Sequence, residues 1–321
     1  MAIENAIFLG SKAFGLSLFR ALVEADRDVK WTLLCPPDQN DARSVAEEFR
    51  AFAAANGIDF PHAKSPDEIT RYLETARPDV MIVCGYYRIL PARAIAAVAN
   101  GVWGFHNSLL PKYRGGSPLV WQIINREEVI GSSLFRFAAG MDDGAVLDQV
   151  RIENARNLTI GEATDRIERA WLEKIPGLWR DFRVGRIEPS AQNHSEATYC
   201  APRKEADGLI DWREDALNID AFIRAQAAPY PRAFFYLSDL KVRVVRHERD
   251  PREISGTAGQ VFEIKDDSAV VCCGGSTALR LFEIEIDGRI SGAADVLNSV
   301  KLRLNASDNA TVMTASEREA K

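Results

Sequence analysis

Four short, mostly apolar runs stand out in the first third of the chain: Ala6–Leu9, Trp31–Cys35, Asp79–Gly85 and Gly101–His106. Asp79–Gly85 is continuously apolar without alternation, which fits a strand covered on both faces in a parallel sheet. Between them the period changes. Phe14–Glu24 places Leu16, Phe19, Leu22 and Val23 on one helical side, Asp41–Ala55 predicts a polar helix, and Pro91–Val98 a short one. This alternation of strands and helices predicts an open, doubly wound, mostly parallel α/β sheet. Ser117–Asn125 then predicts a helix. Ile130–Ala138 and Ala145–Ile152 read as two strands of a meander, joined by the acidic turn Met141-Asp142-Asp143-Gly144. Thr159–Val184 is a long amphipathic helix, with Thr159 as N-cap and Glu162 three residues on, the spacing of a capping box.

The pattern changes at residues 185–200, where Gly185, Pro189 and polar residues show no period. This stretch is the expected linker. A helix near Ala216–Ala225 follows. Five short strands come next: Ala233–Leu237, Lys241–His247, Gly259–Ile264, Ala269–Cys273 and Thr277–Ile284. With their Gly and Asp turns they predict a small β-barrel. From Asn305 onward large apolar groups are scarce, so 305–321 is expected to be a disordered tail. A length of 321 residues is itself above the usual size of one hydrophobic core.

Composition narrows the class. The chain is 46% hydrophobic and 27% charged, and no apolar run approaches the ~20 residues of a membrane span. Its first ten residues lack a basic region and a cleavage site, so a cytoplasmic protein is expected, with no membrane partner. The net charge is -6, and residues 195–321 hold 17 Lys+Arg against 21 Asp+Glu. Neither half has the basic excess that phosphate-backbone binding favours, so nucleic acid is not the expected partner. Five cysteines, Cys35, Cys84, Cys200, Cys272 and Cys273, show no metal spacing and read as reduced thiols; no metal is expected. Gly10 and Gly15 after the first strand lack the third spaced glycine of a dinucleotide fingerprint.

The candidate chemistry gathers after the fourth apolar run, in Gly104-Phe105-His106-Asn107-Ser108-Leu109-Leu110-Pro111-Lys112-Tyr113-Arg114-Gly115. A lone strand histidine is as a rule a satisfied core residue. His106, however, closes its strand at the carboxyl end, where open α/β sheets hold ligands. Ser108, Arg114, Gly115 and Gly116 crowd the same loop, and Asp142 sits on a turn that a compact fold can bring to His106. A His–Asp pair there suits proton transfer, because the carboxylate stabilises the imidazolium.

His106-x-Ser108-Leu109-Leu110-Pro111-x-Tyr113-Arg114-Gly115 followed by Asp142-x-Gly144 resembles the folate-dependent formyltransferases, which act on methionyl-tRNA, glycinamide ribonucleotide or sugar amines. Gly85-Tyr86-Tyr87-Arg88-Ile89-Leu90 is similar to that family's pterin-holding loop. Thr198, Pro202-Arg203, Asp207-Gly208-x-Ile210-Asp211-Trp212, Ile223-Arg224-Ala225 and Pro229-Tyr230-Pro231-x-Ala233-Phe234 resemble the opening of its C-terminal barrel domain. The resemblance spans about residues 6–285. It implies a catalytic domain over 1–187, an OB-like barrel domain over 198–304, and transfer of formyl from 10-formyltetrahydrofolate to an amine. It implies His106 and Asp142 as catalytic residues. Tyr86, Tyr87, Arg88, Ile89, Leu90 and Asp142 would bind the formyl donor. Ser108, Pro111, Tyr113, Arg114 and Gly115 would form the substrate loop. A homodimer is what the resemblance suggests.

One position departs from the family pattern: Gly104 stands where the family carries an asparagine whose amide serves the oxyanion. Losing one such donor costs ~10²–10³ in rate. Three readings stay open: another group replaces the donor, the amine needs less help, or catalysis is weak or lost. Asn107 could replace it only if the backbone turns at His106, because successive strand residues face opposite ways. The expected acceptor is a small amine, a nucleotide-linked amino sugar ahead of hydroxyornithine, because Pro36–Arg43 carries two acids and one arginine where tRNA-directed members carry a basic insertion. Methionyl-tRNA, a folate-binding relative without turnover, and a 10-formyltetrahydrofolate hydrolase are the alternatives.

Overall fold

The structure is a computed structural model and describes residues 3–36, 44–86 and 88–305. The stretch 37–43, most of the segment behind the argument against tRNA, lies outside the described residues, as do Tyr87 and 306–321. The chain divides into two compact units. The first comprises 1–118, 129–153 and 164–201; the second comprises 119–128, 154–163 and 202–321.

The first unit begins β1 (Asn5–Leu9), α1 (Ala13–Ala25), β2 (Lys30–Leu34), α2 (Ala46–Ala55), α3 (Pro66–Ala76), β3 (Val80–Val83), α4 (Ala92–Ala96) and β4 (Val102–His106). A two-residue strand β5 (Arg114–Gly115), β6 (Val129–Arg136), β7 (Val146–Glu153) and most of α6 (Ile160–Arg183) complete it, whereas α5 (Pro118–Ile124) falls almost wholly in the second unit. The six-stranded sheet has the order β2-β1-β3-β4-β6-β7. The first four strands are parallel, and β6 and β7 extend the sheet antiparallel. The expected doubly wound sheet is therefore present, and the meander forms its far edge.

Burial on both faces explains the unbroken apolar runs. On one face Ile7, Leu9, Met81, Val83 and Val102 pack with Ile69 and Leu73 of α3 and Ala94 of α4. On the other, Phe8 stacks on Phe19 of α1 at 4.8 Å, and Phe105 meets Trp171 of α6 edge-on at 5.0 Å. At α6's start Thr159 and Glu162 form the expected reciprocal cap, with Thr159 N donating to Glu162 Oε2 at 2.9 Å. The opposite end is tied down by Arg183, which donates to both oxygens of buried Asp26 at 2.6 Å, while Trp179 Nε1 donates to the same carboxylate at 3.1 Å. The apolar pattern does not predict helix α3, although its start carries a cap: Ser65 Oγ accepts from Glu68 N at 3.2 Å.

In the second unit, α7 (Ala216–Arg224) precedes β9 (Phe234–Leu237), β10 (Leu240–Asp250), β11 (Val261–Lys265), β12 (Ser268–Cys272), β13 (Ala278–Ile286), β14 (Arg289–Gly292) and α8 (Ala293–Val296). The antiparallel order is β11-β12-β13-β10-β9, with β14 on β13. Its inner face packs Phe235, Val242, Val244, Val271, Leu279 and Leu281 against Ile219 and Ile223 of α7. The two outer strands are joined by residues 302–305. Leu304 N donates to Gly259 O at 2.8 Å beside β11, and Asn305 N donates to Tyr236 O at 2.7 Å in β9. Asn305 is therefore part of the barrel and not of a tail, because its side chain also bonds Ile210 O and Tyr236 N, each at 2.8 Å.

Among the described residues no helix is long and apolar enough to cross a membrane. No group of three or more His, Cys, Asp or Glu among them is placed to hold a metal ion.

Candidate active site

The site forms where β4 ends. His106 is the last residue of that strand and is 8% exposed. The chain then reverses at once, Ser108 N donating to His106 O at 2.8 Å in a three-residue turn centred on Asn107. Asn107 is exposed. Ser108, by contrast, is buried. Its Oγ donates to Lys112 O at 2.6 Å and its carbonyl accepts from Ser133 Oγ at 2.6 Å, so it braces the loop. Ser133 Oγ also accepts from Leu110 N at 3.1 Å and from Gln149 Nε2 at 2.9 Å. The bond between Leu110 and Pro111 is cis.

This bracing fixes the histidine ring. His106 Nε2 donates to Tyr113 O at 2.7 Å, which requires the proton on Nε2, since a carbonyl can only accept. Its Nδ1 faces Asp142 Oδ2 at 3.6 Å, beyond hydrogen-bond range. The Nδ1 edge is thus aimed at a carboxylate. Asp142 adopts a left-handed backbone, φ 48°, and its Oδ2 accepts the Gly115 N–H at 2.8 Å. That bond links the two sequence-predicted halves of the site. Gly115 is itself obligatory: φ is 106°, and a Cβ would press against Cys200 O.

Residues 185–200 do more than link. Tyr199–Cys200 form a strand, β8, parallel to β5. Tyr113 N donates to Thr198 Oγ1 at 2.9 Å, and Arg114 N to Thr198 O at 2.9 Å. Buried Gln192 donates to Asp142 O at 2.8 Å and Gly144 O at 2.6 Å. Its Oε1 accepts from Arg114 Nη2 at 2.7 Å. Arg114, 2% exposed, also reaches His194 Nδ1 at 3.3 Å. Thr198 belongs to a motif that the resemblance placed in the second domain, yet it pairs with the site loop. Gln192 is invisible to sequence reasoning, because a lone glutamine in an aperiodic stretch gives no signal. The Cys200 thiol, beside Tyr113 O and Arg114 O, is pushed up to about 11 by burial and by Asp142.

The loop after β3 borders this edge. The Tyr86 hydroxyl is buried without a hydrogen-bond partner among the described residues, and burial pushes its pKa upward. Arg88 is exposed and bonds Lys64 O at 3.2 Å, Ile89 is 90% exposed, and Leu90 is buried in the core. A buried phenol lacking a protein partner beside an exposed loop fits a ligand that brings its own polar atoms. The space beside Gly104 is not open. A Cβ built there lies 2.6 Å from Cζ of Phe137, an aromatic side chain the motif did not include.

The Formyl transferase family model matches residues 8–176, and the Formyl transferase C-terminal domain model matches 203–301. The chain is 31% identical to the methionyl-tRNA formyltransferase of Chloroflexus aggregans over 294 residues, covering 90% of this chain and 95% of that protein. It is 29% identical to the methionyl-tRNA formyltransferase of Acetivibrio thermocellus over 273 residues, 84% of this chain and 88% of that one. The solved structure of WlaRD, a sugar 3N-formyl transferase in the presence of dTDP and 5-N-formyl-THF, shares the fold. Its TM-score is 0.65 at 16% identity, over 90% of this chain and 100% of that one. Matched through both of its units, this chain belongs to the formyl transferase family and is a formyltransferase that uses 10-formyltetrahydrofolate as its formyl donor.

Proposed function

We propose that the acceptor is the amino group of methionyl-tRNA. The supporting observation is the 31% identity that runs through both units, over 90% of this chain, to a protein named for that reaction. This reverses the order expected from charge, which placed a nucleotide-linked amino sugar first. A second reading, the small amine, keeps one structural argument: several of the barrel's basic side chains are already matched. Arg246 meets Glu283 at 3.0 Å, Arg243 meets Glu205 at 2.9 Å, and Arg252 and Arg280 share Asp250 and Glu263. Such pairing leaves less positive charge for a phosphate backbone.

The chemistry follows from the residues. The folate supplies an activated formyl group, and Tyr86, Tyr87, Arg88 and Ile89 would hold it, with Leu90 anchoring their loop. The amine lone pair forms the new N–C bond as the formyl carbon's bond to the donor nitrogen breaks. The amine loses one proton and the leaving nitrogen gains one. Because His106 Nε2 donates to Tyr113 O, Nδ1 is the edge left to serve the formyl oxygen, where negative charge gathers, and it donates there when the ring is protonated at both nitrogens. Asp142, 3.6 Å away, stabilises the charged ring and accepts the amine proton. Ser108, Pro111, Tyr113, Arg114 and Gly115 shape the acceptor side. We further assign formyl transfer to residues 1–187 and acceptor recognition to 198–304.

The full-length protein is incubated with 10-formyltetrahydrofolate and, separately, methionyl-tRNA, a dTDP-linked amino sugar, N-hydroxyornithine or no acceptor. The expected product is formylmethionyl-tRNA, abolished by His106→Ala. Formylated sugar alone would overturn the tRNA reading. Formate released without any acceptor would make the protein a hydrolase.

A further inference from the structure

We infer that Phe137 is a specificity-determining residue of this site, holding the position from which a residue-104 side chain would otherwise reach the reacting group. The inference rests on the formyl-transfer reading above. Side chains at 102, 104 and 106 share one face of β4. On the antiparallel neighbour, Phe135 lies opposite Gly104 and Ser133 opposite His106, and Phe137 N donates to Val102 O at 2.7 Å. Phe135 and Phe137 therefore flank Gly104 on the histidine's face, with their rings 5.3 Å apart. Phe135 in turn meets the His106 ring edge-on at 6.1 Å.

Gly104 is not required by backbone conformation. It lies inside a regular strand, and its φ is outside the left-handed region that favours glycine. It is required by space. The nearest three atoms to a Cβ there all belong to the Phe137 ring, with Cδ1 at 3.5 Å and Cζ at 2.6 Å. Gly104 and Phe137 are thus one packing solution, in which ring volume replaces side-chain volume from the strand. The ring packs on the same buried cluster as Tyr86, which also holds Leu90 of the donor-binding loop. The replacement changes chemistry as well as shape. A polar side chain at 104 could direct a hydrogen bond along the face that carries His106, whereas a phenyl ring cannot. His106 is left as the one hydrogen-bond donor among the side chains of residues 102, 104 and 106. The site then favours acceptors reactive enough to attack with a single donor on the formyl oxygen.

The test compares wild type, Phe137→Ala, Gly104→Asn and the double variant, with Gly104→Ala as a smaller probe. Thermal midpoint and kcat are read for each. Gly104→Ala and Gly104→Asn are expected to lower the midpoint strongly when Phe137 is present. Combined with Phe137→Ala, Gly104→Asn is expected to lower it far less, so the two changes are not additive. The double variant is expected to exceed Phe137→Ala in kcat by about 10²-fold, the usual return for one oxyanion donor, with KM for the folate little changed. Additive midpoints would overturn the inference. So would a kcat gain from Gly104→Asn alone, or a double variant no faster than Phe137→Ala while wild type turns over. Absence of turnover in all five proteins would remove the formyl-transfer reading; the midpoints alone would then decide whether Phe137 fills the position.

Discussion

Gln192 is the best single place to ask whether the aperiodic stretch before the barrel serves the site. It is buried, with four hydrogen bonds: Nε2 to the carbonyls of Asp142 and Gly144, Oε1 from Nε and Nη2 of Arg114. Replacement by leucine keeps the bulk and removes all four. Gly144 is buried, so its carbonyl loses its donor at about 1–3 kcal/mol. Arg114 keeps His194 but loses a charge-assisted acceptor, worth about 1.5–3 kcal/mol. Asp142 is half-exposed, and water can replace its lost donor. The total is about 2.5–6 kcal/mol, or about 5–20 °C in thermal midpoint for a unit of this size. The turn that carries Asp142 also loosens, and a displacement of about 1 Å in a positioned group costs ~10² in rate. Gln192→Glu separates the two effects. Its carboxylate still holds Arg114 but cannot donate to either carbonyl, so kcat is expected to fall as for leucine while the midpoint falls less. Thermal denaturation and kcat at saturating folate and acceptor provide the readouts. A leucine variant within about 2 °C of wild type, a small fraction of the expected shift, with unchanged kcat would refute the reasoning.

Two further outcomes follow from other parts of the fold. Burial, reinforced by Asp165, pushes the Glu168 carboxyl up to about 7. The native state therefore holds a proton that the unfolded chain, titrating near 4.5, has released, and stability from this group is lost as pH rises from about 4.5 to 7. Glu168→Gln is expected to flatten that slope, by at most about 3 kcal/mol, in urea unfolding followed across the interval; an unchanged slope would show that Glu168 is already ionised in the native state across it. Asn305→Ala removes the side-chain bonds to Ile210 O and Tyr236 N that join the last described residues to β9. A loss of about 1–2 kcal/mol is expected in the barrel's unfolding, and amide exchange at Tyr236 should rise; no change in either would show the closure to be incidental.

What could be read from the chain was whatever repeats or obeys a period. Unbroken apolar runs located β1 to β4 because a strand covered on both faces leaves no polar position, and the Thr159–Glu162 spacing marked the start of α6. Elements held by one cap or one turn escaped. Helix α3 packs only Ile69, Thr70 and Leu73 inward, and β14 follows an Asp287-Gly288 turn with both Arg289 and Ile290 exposed. Residues 302–305 complete the barrel through backbone bonds that any residue type could make and through the Asn305 side chain, so composition alone placed Asn305 in a tail.

The site divides along the same line. His106, Asp142 and Gly115 were legible because their residue types are tied to chemistry or to a left-handed backbone, and the bond from Gly115 N to Asp142 joins the two halves. Gln192 was not, and Thr198 was read as part of the second domain, since an amide and a hydroxyl that serve backbone groups carry no fixed spacing. Gly104 falls between the two. The sequence offered a missing amide, with three readings and Asn107 as one replacement. The structure leaves Asn107 exposed in the turn after the strand and brings the Phe137 ring over the glycine. Phe137 is separated from Gly104 by 33 positions, and only the antiparallel register of β4 with β6 makes them neighbours. A glycine in a strand thus states that something else takes its volume. Which residue does so, and whether that residue can donate a hydrogen bond, is decided by strand pairing and cannot be read from the motif.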